Sequence, residues 1–212
     1  MKRMHGRRVA TRRASTGAWV AAGLLVGAVL ALLVTAPANW VAQALQRASG
    51  QHLLLADARG TLWAGSAFVV LSGGPGSRTA SALPGRLHWV LGLAPGDWRA
   101  LQLELRQDCC IHDTLRLRIE PGPGRLRIGV PAQPAPLGQW PLAWLSGLGA
   151  PFNTLRLDGR AQLSATGLSL ERVQGRWLVA GAATLDLQDL SSALATIAPL
   201  GGYRLSFSGS SG

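Results

Sequence analysis

Leu101-Gln-Leu-Glu-Leu-Arg106, Leu115-Arg-Leu-Arg-Ile-Glu120 and Arg125-Leu-Arg-Ile-Gly-Val130 decide the fold, because in each run an apolar side chain alternates with a polar or small one. A period of two marks a strand with one buried and one wet face. Such one-sided sheets are usually antiparallel. Leu155 and Leu157 against Arg156 and Asp158, and Leu185 and Leu187 against Asp186 and Gln188, continue the pattern. Pro121-Gly-Pro-Gly124 supplies a hairpin turn between two of the runs. The expectation is a mainly β domain whose antiparallel strands form a curved sheet or an open barrel.

Outward from this core, Pro121, Pro123, Pro131, Pro134, Pro136 and Pro141 are six of the chain's 12 prolines. Pro131-Ala-Gln-Pro-Ala-Pro136 is unsuited to an interior strand, so the stretch near 131–141 reads as an internal boundary between two lobes of one sheet. Trp140 to Leu148 and Leu190 to Ile197 read as short helices. Gly60-Thr-Leu-Trp-Ala-Gly65 and Gly175-Arg-Trp-Leu-Val-Ala-Gly181 are faintly alike, too weakly to define a repeat.

Toward the N-terminus the period changes. Lys2, Arg3, Arg7, Arg8, Arg12 and Arg13 are followed by 33 residues, Ala14 to Gln46, without a charge. Ala18 to Thr35 is almost wholly apolar and, as a helix, comes close to the roughly 30 Å of a bilayer's hydrocarbon core. The segment reads as a transmembrane helix. The basic arm then acts as its orientation signal, because Lys and Arg are retained on the cytoplasmic side. Trp19 and Trp40 bracket the span. A cleaved signal peptide with Ala36-Pro37-Ala38 as its cleavage site is the competing reading, but its apolar region would run only about 7–15 residues. Gly23 and Gly27 form a G-x-x-x-G step, a pattern that permits close helix packing. Pro37 to Gly50 reads as an amphipathic helix with Trp40, Val41, Ala44, Leu45 and Ala48 on one face, placed to lie on the membrane or to dock on the following domain.

The chain has 212 residues and a formal charge of +11, which alone would suggest a polyanion partner. Its location argues otherwise. The first 13 residues supply +6, and residues 14–212 supply 15 − 10 = +5, from single Arg residues scattered over alternating strands. No nucleic-acid partner is expected. Disorder is excluded by an apolar content of 48%.

No catalytic constellation appears: there is no Walker loop, H-E-x-x-H or G-x-S-x-G, and ten acids are spread over strand faces and turns. An enzyme is not expected, nor a cofactor. Cys109-Cys110-Ile-His112-Asp113 holds ligand-type side chains, but no further Cys exists to complete a zinc site. In an oxidising compartment the pair admits a vicinal disulfide or a bond between chains; an inert pair at a strand end is the default. His5, His52 and His88 read as isolated surface or core residues. Among 8 Trp, Trp63, Trp89 and Trp177 fall in strand-like runs and read as core, though a Trp- and Leu-lined sheet also suits a groove for acyl chains.

Gly60-Thr61-Leu-Trp63-Ala-Gly65 followed by an apolar run, Leu83-Pro84-Gly-Arg-Leu-His-Trp89, Pro151-Phe-Asn-Thr-Leu-Arg-Leu-Asp-Gly159, and Pro199-Leu200-Gly201-Gly-Tyr203-Arg-Leu205 occur in that order after one N-terminal anchor and Pro37-Ala38. In this the chain resembles the type II secretion system protein N family (general secretion pathway protein N). The resemblance covers nearly the whole chain. It implies a single-pass protein of a Gram-negative inner membrane: a cytoplasmic arm (1–16), a transmembrane helix (17–36), a juxtamembrane helix (37–50) and a periplasmic β domain (51–212). It further implies a non-enzymatic accessory component of the machinery that exports folded proteins, with the inner-membrane L and M components or the secretin as partners. One departure lies at Ser206-Phe-Ser-Gly-Ser-Ser-Gly212, where family members tend to continue into a further strand pair and a Gly-rich end. The family also looks like AsmA-type proteins, which implies lipid handling between membranes as the rival reading.

Overall fold

The computed structural model describes residues 16–131 and 136–209. Lys2, Arg3, His5, Arg7, Arg8, Arg12, Arg13 and Pro134 lie outside the described residues, so the orientation signal has no structural counterpart here. The chain divides into two compact units, Met1–Thr35 and Ala36–Gly212.

The first unit holds α1 (Thr16–Val34), 19 residues rich in Ala and Leu, which favour helix, with no proline before Pro37. Leu24, Leu25, Val26, Leu30 and Leu32 on it are exposed. Among the described residues, no helix is long and apolar enough to cross a membrane, so the transmembrane helix expected at 17–36 is not found among them.

The second unit begins with α2 (Ala38–Ala48), capped by Pro37 in extended geometry. The strands β1 (Leu53–Gly60), β2 (Ala64–Ser72), β3 (Ala80–Ala82), β4 (Leu87–Ala94), β5 (Asp97–Gln107), β6 (Ile111–Gly122) and β7 (Arg125–Gly129) follow. Then come β8 (Gly138–Pro141), a 3-10 helix (Leu142–Leu148), α3 (Phe152–Leu155), β9 (Leu157–Val173), β10 (Arg176–Ser192) and β11 (Gly201–Gly209). They make one open antiparallel sheet in the order β1-β2-β4-β5-β6-β7-β9-β10-β11, with β3 added to β2 and β8 to β9. The sheet does not close into a barrel: β1 and β11 are its two ends. On either side of the Pro-rich stretch, β7 pairs with the second half of β9 and β8 with its first half.

The register explains the alternation. Leu93, Leu101, Ile119, Ile128, Leu170 and Val179 stand opposite one another across six consecutive strands and so share one face. Leu163, Leu185 and Leu205 form a second apolar row on that face. The other face carries Glu104 opposite Arg116, and Glu120 opposite Arg127 opposite Glu171.

Cover over the apolar face is uneven. At the β1 end, Ala38 of α2 packs with Ala67 and Trp89. Trp140 and Trp144 close over Val69, Leu83 and Cys110, with the Trp144 indole N–H donating to the Ser81 carbonyl at 3.0 Å. At the other end Trp177, Val179, Tyr203, Leu205 and Phe207 are exposed. Trp177, expected in the core, is therefore a surface residue, with the Arg172 guanidinium 5.8 Å from its ring centre.

Four local readings are corrected. Leu190 to Ile197 is not a helix: Ser191 and Ser192 pair with Asp158 and Leu157, which carries β10 to Ser192 before a turn. Trp140 and Pro141 are strand residues and only Leu142–Leu148 coils, as a 3-10 rather than an α-helix. Leu155 ends α3 instead of starting a strand, with Arg156 in the left-handed region breaking the helix. In α2 the side against the sheet is Ala38, Val41, Ala42 and Leu45, whereas Trp40, Ala44 and Ala48 are exposed.

Candidate functional site

The family-like motifs assemble into two clusters. In the first, Gly60 to Gly65 forms the β1–β2 turn, closed by the Thr61 amide donating to the Ala64 carbonyl at 2.8 Å. The turn clasps Trp89: its indole N–H donates to the Leu62 carbonyl at 3.2 Å, and its ring lies against Gly65, where any Cβ would stand 2.4 Å from Cζ2. Only glycine fits there. Trp63 sits in the same turn, and its carbonyl accepts the Leu91 amide at 2.7 Å. The connector after α1 is sewn to this turn as well, through the Leu62 amide on the Ala36 carbonyl at 2.8 Å and a bridge from Pro37 to Thr61. Pro84 stands apart, its carbonyl accepting from Gln107 at 3.4 Å.

The second cluster gathers Pro151 to Gly159 with Pro199 to Tyr203. Pro151 and Pro199 both follow cis peptide bonds. Gly159 has φ +122 and would place a Cβ 2.6 Å from the Gln188 carbonyl, so it lets β9 pass close beneath the irregular stretch of β10 at Asp189. The Ser192 hydroxyl and the Ala193 amide both donate to the Leu155 carbonyl, at 2.7 and 3.2 Å. The Leu200 amide donates to Leu190 at 2.7 Å, and Gly201 pairs with the same residue, which launches β11. The Tyr203 hydroxyl donates to the Leu200 carbonyl at 3.5 Å.

This second cluster borders a cavity of about 430 Å³ between the 3-10 helix and the apolar face, walled by Trp140, Leu142, Trp144, Phe152, Leu185 and Leu187 among others. Its lining is hydrocarbon and aromatic ring throughout. Nothing in it would orient a polar reactant or carry a proton, so its chemistry is the exclusion of water from an aliphatic or aromatic group.

A larger hollow, about 670 Å³, opens where Asp97, Glu120 and Glu171 meet Arg99, Arg125 and Arg127. Three acids against three guanidiniums leave no excess of either sign. Arg118 bridges Asp97 at 2.6 Å and Glu120 at 2.7 Å, and the hydrogen bond to Glu120 holds its guanidinium above the usual value. Asp57 receives Arg86 at 2.8 Å and Arg59 at 3.0 Å, and these hydrogen bonds, Arg86 first, hold its carboxyl below the usual range. The scattered arginines of the sheet thus largely answer local carboxylates, which a polyanion-binding face would not do.

Cys109 and Cys110 form a vicinal disulfide. Adjacent strand residues would point to opposite faces, but this pair lies in the turn between β5 and β6. Cys110 is buried, and its carbonyl accepts the Gln139 amide at 2.8 Å, which fastens the turn to β8. Among the described residues no cluster of His, Cys, Asp or Glu could hold a metal ion. His52 and His88 are exposed; the His52 ring meets the Ser72 carbonyl at 3.1 Å.

The cavity has no local sequence signal, since it arises from a helix returning over strands that follow it in the chain. The edge strand β11 does have one: Tyr203, Leu205 and Phe207 alternate with Gly202, Arg204 and Ser206.

In comparison with known proteins, a family model described as type II secretion system (T2SS), protein N matches residues 51–212. No curated protein matches the chain, and no solved structure matches it.

Proposed function

The chain belongs to the type II secretion system protein N family, and from that premise we propose that it is a non-enzymatic accessory component of the secretion machinery. In this reading α1 anchors it in the inner membrane with the N-terminus cytoplasmic. The β domain works in the periplasm, supporting assembly or contacts with the L and M components or the secretin. The observation that carries the proposal is the family match over the whole β domain. Its geometry agrees: among the described residues the sheet leaves apolar surface uncovered, which suits contact rather than chemistry.

The anchor is supported by the helix together with its flanks. α1 by itself is not long and apolar enough to cross, so the span in this reading takes in the uncharged residues on either side of it. The uncharged sequence runs on beyond both its ends, from Ala14 to Gln46. Crosslinked membranes containing the intact chain, or a chain lacking residues 51–212, test the assignment. Intact chain should co-purify with L, M or secretin, and truncation should lose them. Partners retained after truncation would move the function to the anchor.

The apolar cavity favours one second reading, lipid handling of the AsmA-like kind. Native mass spectrometry of purified chain separates the two: a stoichiometric phospholipid supports lipid handling, and a lipid-free chain that captures secretion components supports the assembly role.

A further inference from the structure

Three exposed tryptophans of the β domain, Trp40, Trp63 and Trp98, gather at the end where the chain enters it. Ala36 is buried there, its carbonyl accepting the Leu62 amide at 2.8 Å, while Pro37 bridges to Thr61. α1 ends at Val34, so only Thr35 precedes this joint. Two residues of chain reach at most about 7 Å. The Gly60 to Gly65 turn is therefore tied to the uncharged N-terminal segment without a spacer.

The β4–β5 hairpin projects past the same turn. β2 pairs with β4 as far as Ala64 opposite Val90, and β4 runs on through Leu91, Gly92 and Leu93 to Ala94, which stands opposite Asp97. At about 3.3 Å per residue those four steps carry the tip about 13 Å beyond the turn. Trp40, in the first turn of α2, is 52% exposed; Trp63 is 36%, Val90 53%, Leu93 66% and Trp98 75% exposed. The stretches 36–46, 60–65 and 89–96 contain no Asp, Glu, Lys or Arg. The acid at the tip, Asp97, is answered by Arg118 at 2.6 Å, and the Arg99 guanidinium lies 4.9 Å from the Trp98 ring centre.

Exposed indole beside uncharged backbone turns suits the layer between lipid and water. Headgroups add about 5–7 Å on each side of the hydrocarbon, Trp is enriched there, and interfacial elements bury their apolar side about 5–10 Å. A joint within about 7 Å of the apolar helix and a tip about 13 Å past it match those depths. A guanidinium stacked beside Trp98 is suited to lipid phosphate.

We propose that this end of the β domain is a membrane contact: Trp40, Trp63 and the β4–β5 tip, with Leu93 and Trp98, sit in the interface of the bilayer that anchors the chain. The inference rests on the anchor reading above. A bilayer is the occupant because the chain's own attachment at Ala36 holds these residues beside it. The opposite end of the sheet, where β2 turns into β3, then stands in water.

The full-length chain serves as its own ruler, since Cys109 and Cys110 are joined and leave no free cysteine to compete for a label. Leu93→Cys, Arg78→Cys and Leu24→Cys chains are each labelled with a nitrobenzoxadiazole dye. They are placed in nanodiscs of phosphatidylethanolamine and phosphatidylglycerol, with and without doxyl-labelled lipid. Arg78 is exposed in the loop after β2, whose nine residues put it about 26 Å from Ala64. Doxyl quenching at 93 should exceed that at 78 several-fold, with bluer emission at 93, and the label at 24 should be quenched as well. Quenching at 24 with 93 no more quenched than 78 overturns the contact and leaves the anchor standing. No quenching at 24 overturns the anchor and the contact with it. A label at 93 that is shielded from iodide but not quenched by lipid, and only in discs holding two chains, gives the surface to a second copy and overturns the proposal.

Discussion

Gly65→Ala should destabilise the domain far more than a buried methyl group ordinarily would. The added Cβ would meet Trp89 at 2.4 Å from Cζ2 and 2.7 Å from Cε2, and the Arg59 carbonyl at 2.8 Å. The ring has little room to yield: Trp89 is 5% exposed, packed on Ala38 and Ala67, and held by its bond to Leu62. Overpacking of this kind costs about 1–3 kcal/mol, and a displaced indole forfeits a hydrogen bond of about 0.5–1.5 kcal/mol. Together these amount to about 2–4 kcal/mol, or roughly 4–16 °C in Tm for a domain of this size. The cause can be isolated with a second change. Trp89→Leu is itself destabilising, by less than the about 3–5 kcal/mol of full truncation to alanine, but it removes the atoms with which the new methyl collides. In that background the 2.8 Å approach to the Arg59 backbone carbonyl still costs something, but the collision with the ring is gone, so the two changes should couple by about 1 kcal/mol or more. Thermal unfolding of the full chain in mild detergent, followed by tryptophan fluorescence, measures all four species. Additive shifts in Tm would refute the Gly65–Trp89 clasp.

Gly159→Ala should lower the denaturant midpoint by the equivalent of roughly 1–3 kcal/mol, because its φ of +122 suits glycine and its Cβ would strike the Gln188 carbonyl; an unchanged midpoint would sink the close approach of β9 and β10. Asp57 is more acidic in the fold than its ordinary value of 3.8, so its contribution is fully present above about pH 4 and is lost as pH falls through the lowered value. Asp57→Asn should therefore flatten the acid limb of a Tm-against-pH profile while leaving its slope near neutrality unchanged; an acid limb as steep as the native one would refute the assignment. Deleting residues 1–35 should move the protein from the pellet to the supernatant after carbonate extraction, and a variant that still pellets would show that α1 is not the anchor. If lipid occupies the cavity, Leu187→Gln should abolish a co-purified phospholipid in native mass spectra, whereas Gln162→Leu on the polar face should leave it in place.

The strands were legible because the sheet is a single layer with one dry face, so Leu101 to Leu105, Leu115 to Ile119 and Leu126 to Ile128 had to alternate. Where long-range pairing overrides local spacing, legibility fails. Leu190, Leu194 and Ile197 repeat at helical intervals, yet Ser191 and Ser192 are held extended by Asp158 and Leu157 on a strand more than thirty residues away. Trp177 reads as core because it lies in a strand-like run, but such a run does not report whether anything covers the face a side chain takes. The family-like motifs could be quoted in order from the sequence. Their convergence into a Trp89 clasp and a β9–β10–β11 junction depends on register, which no single segment encodes. The joining of Cys109 to Cys110 turned on a detail of the same kind, their placement in a turn instead of a strand.

The strand order has a consequence for how such a sheet comes into being. Each of β2, β5, β6, β7, β10 and β11 pairs with the strand before it, while β4 pairs with β2 across β3 and β9 with β7 across β8. Strands that neighbour each other in space are thus close in the chain, as sequential elements usually are. The sheet can therefore grow like a polymer with one reactive end: every strand is laid on the edge left by its predecessor and presents the next edge in turn.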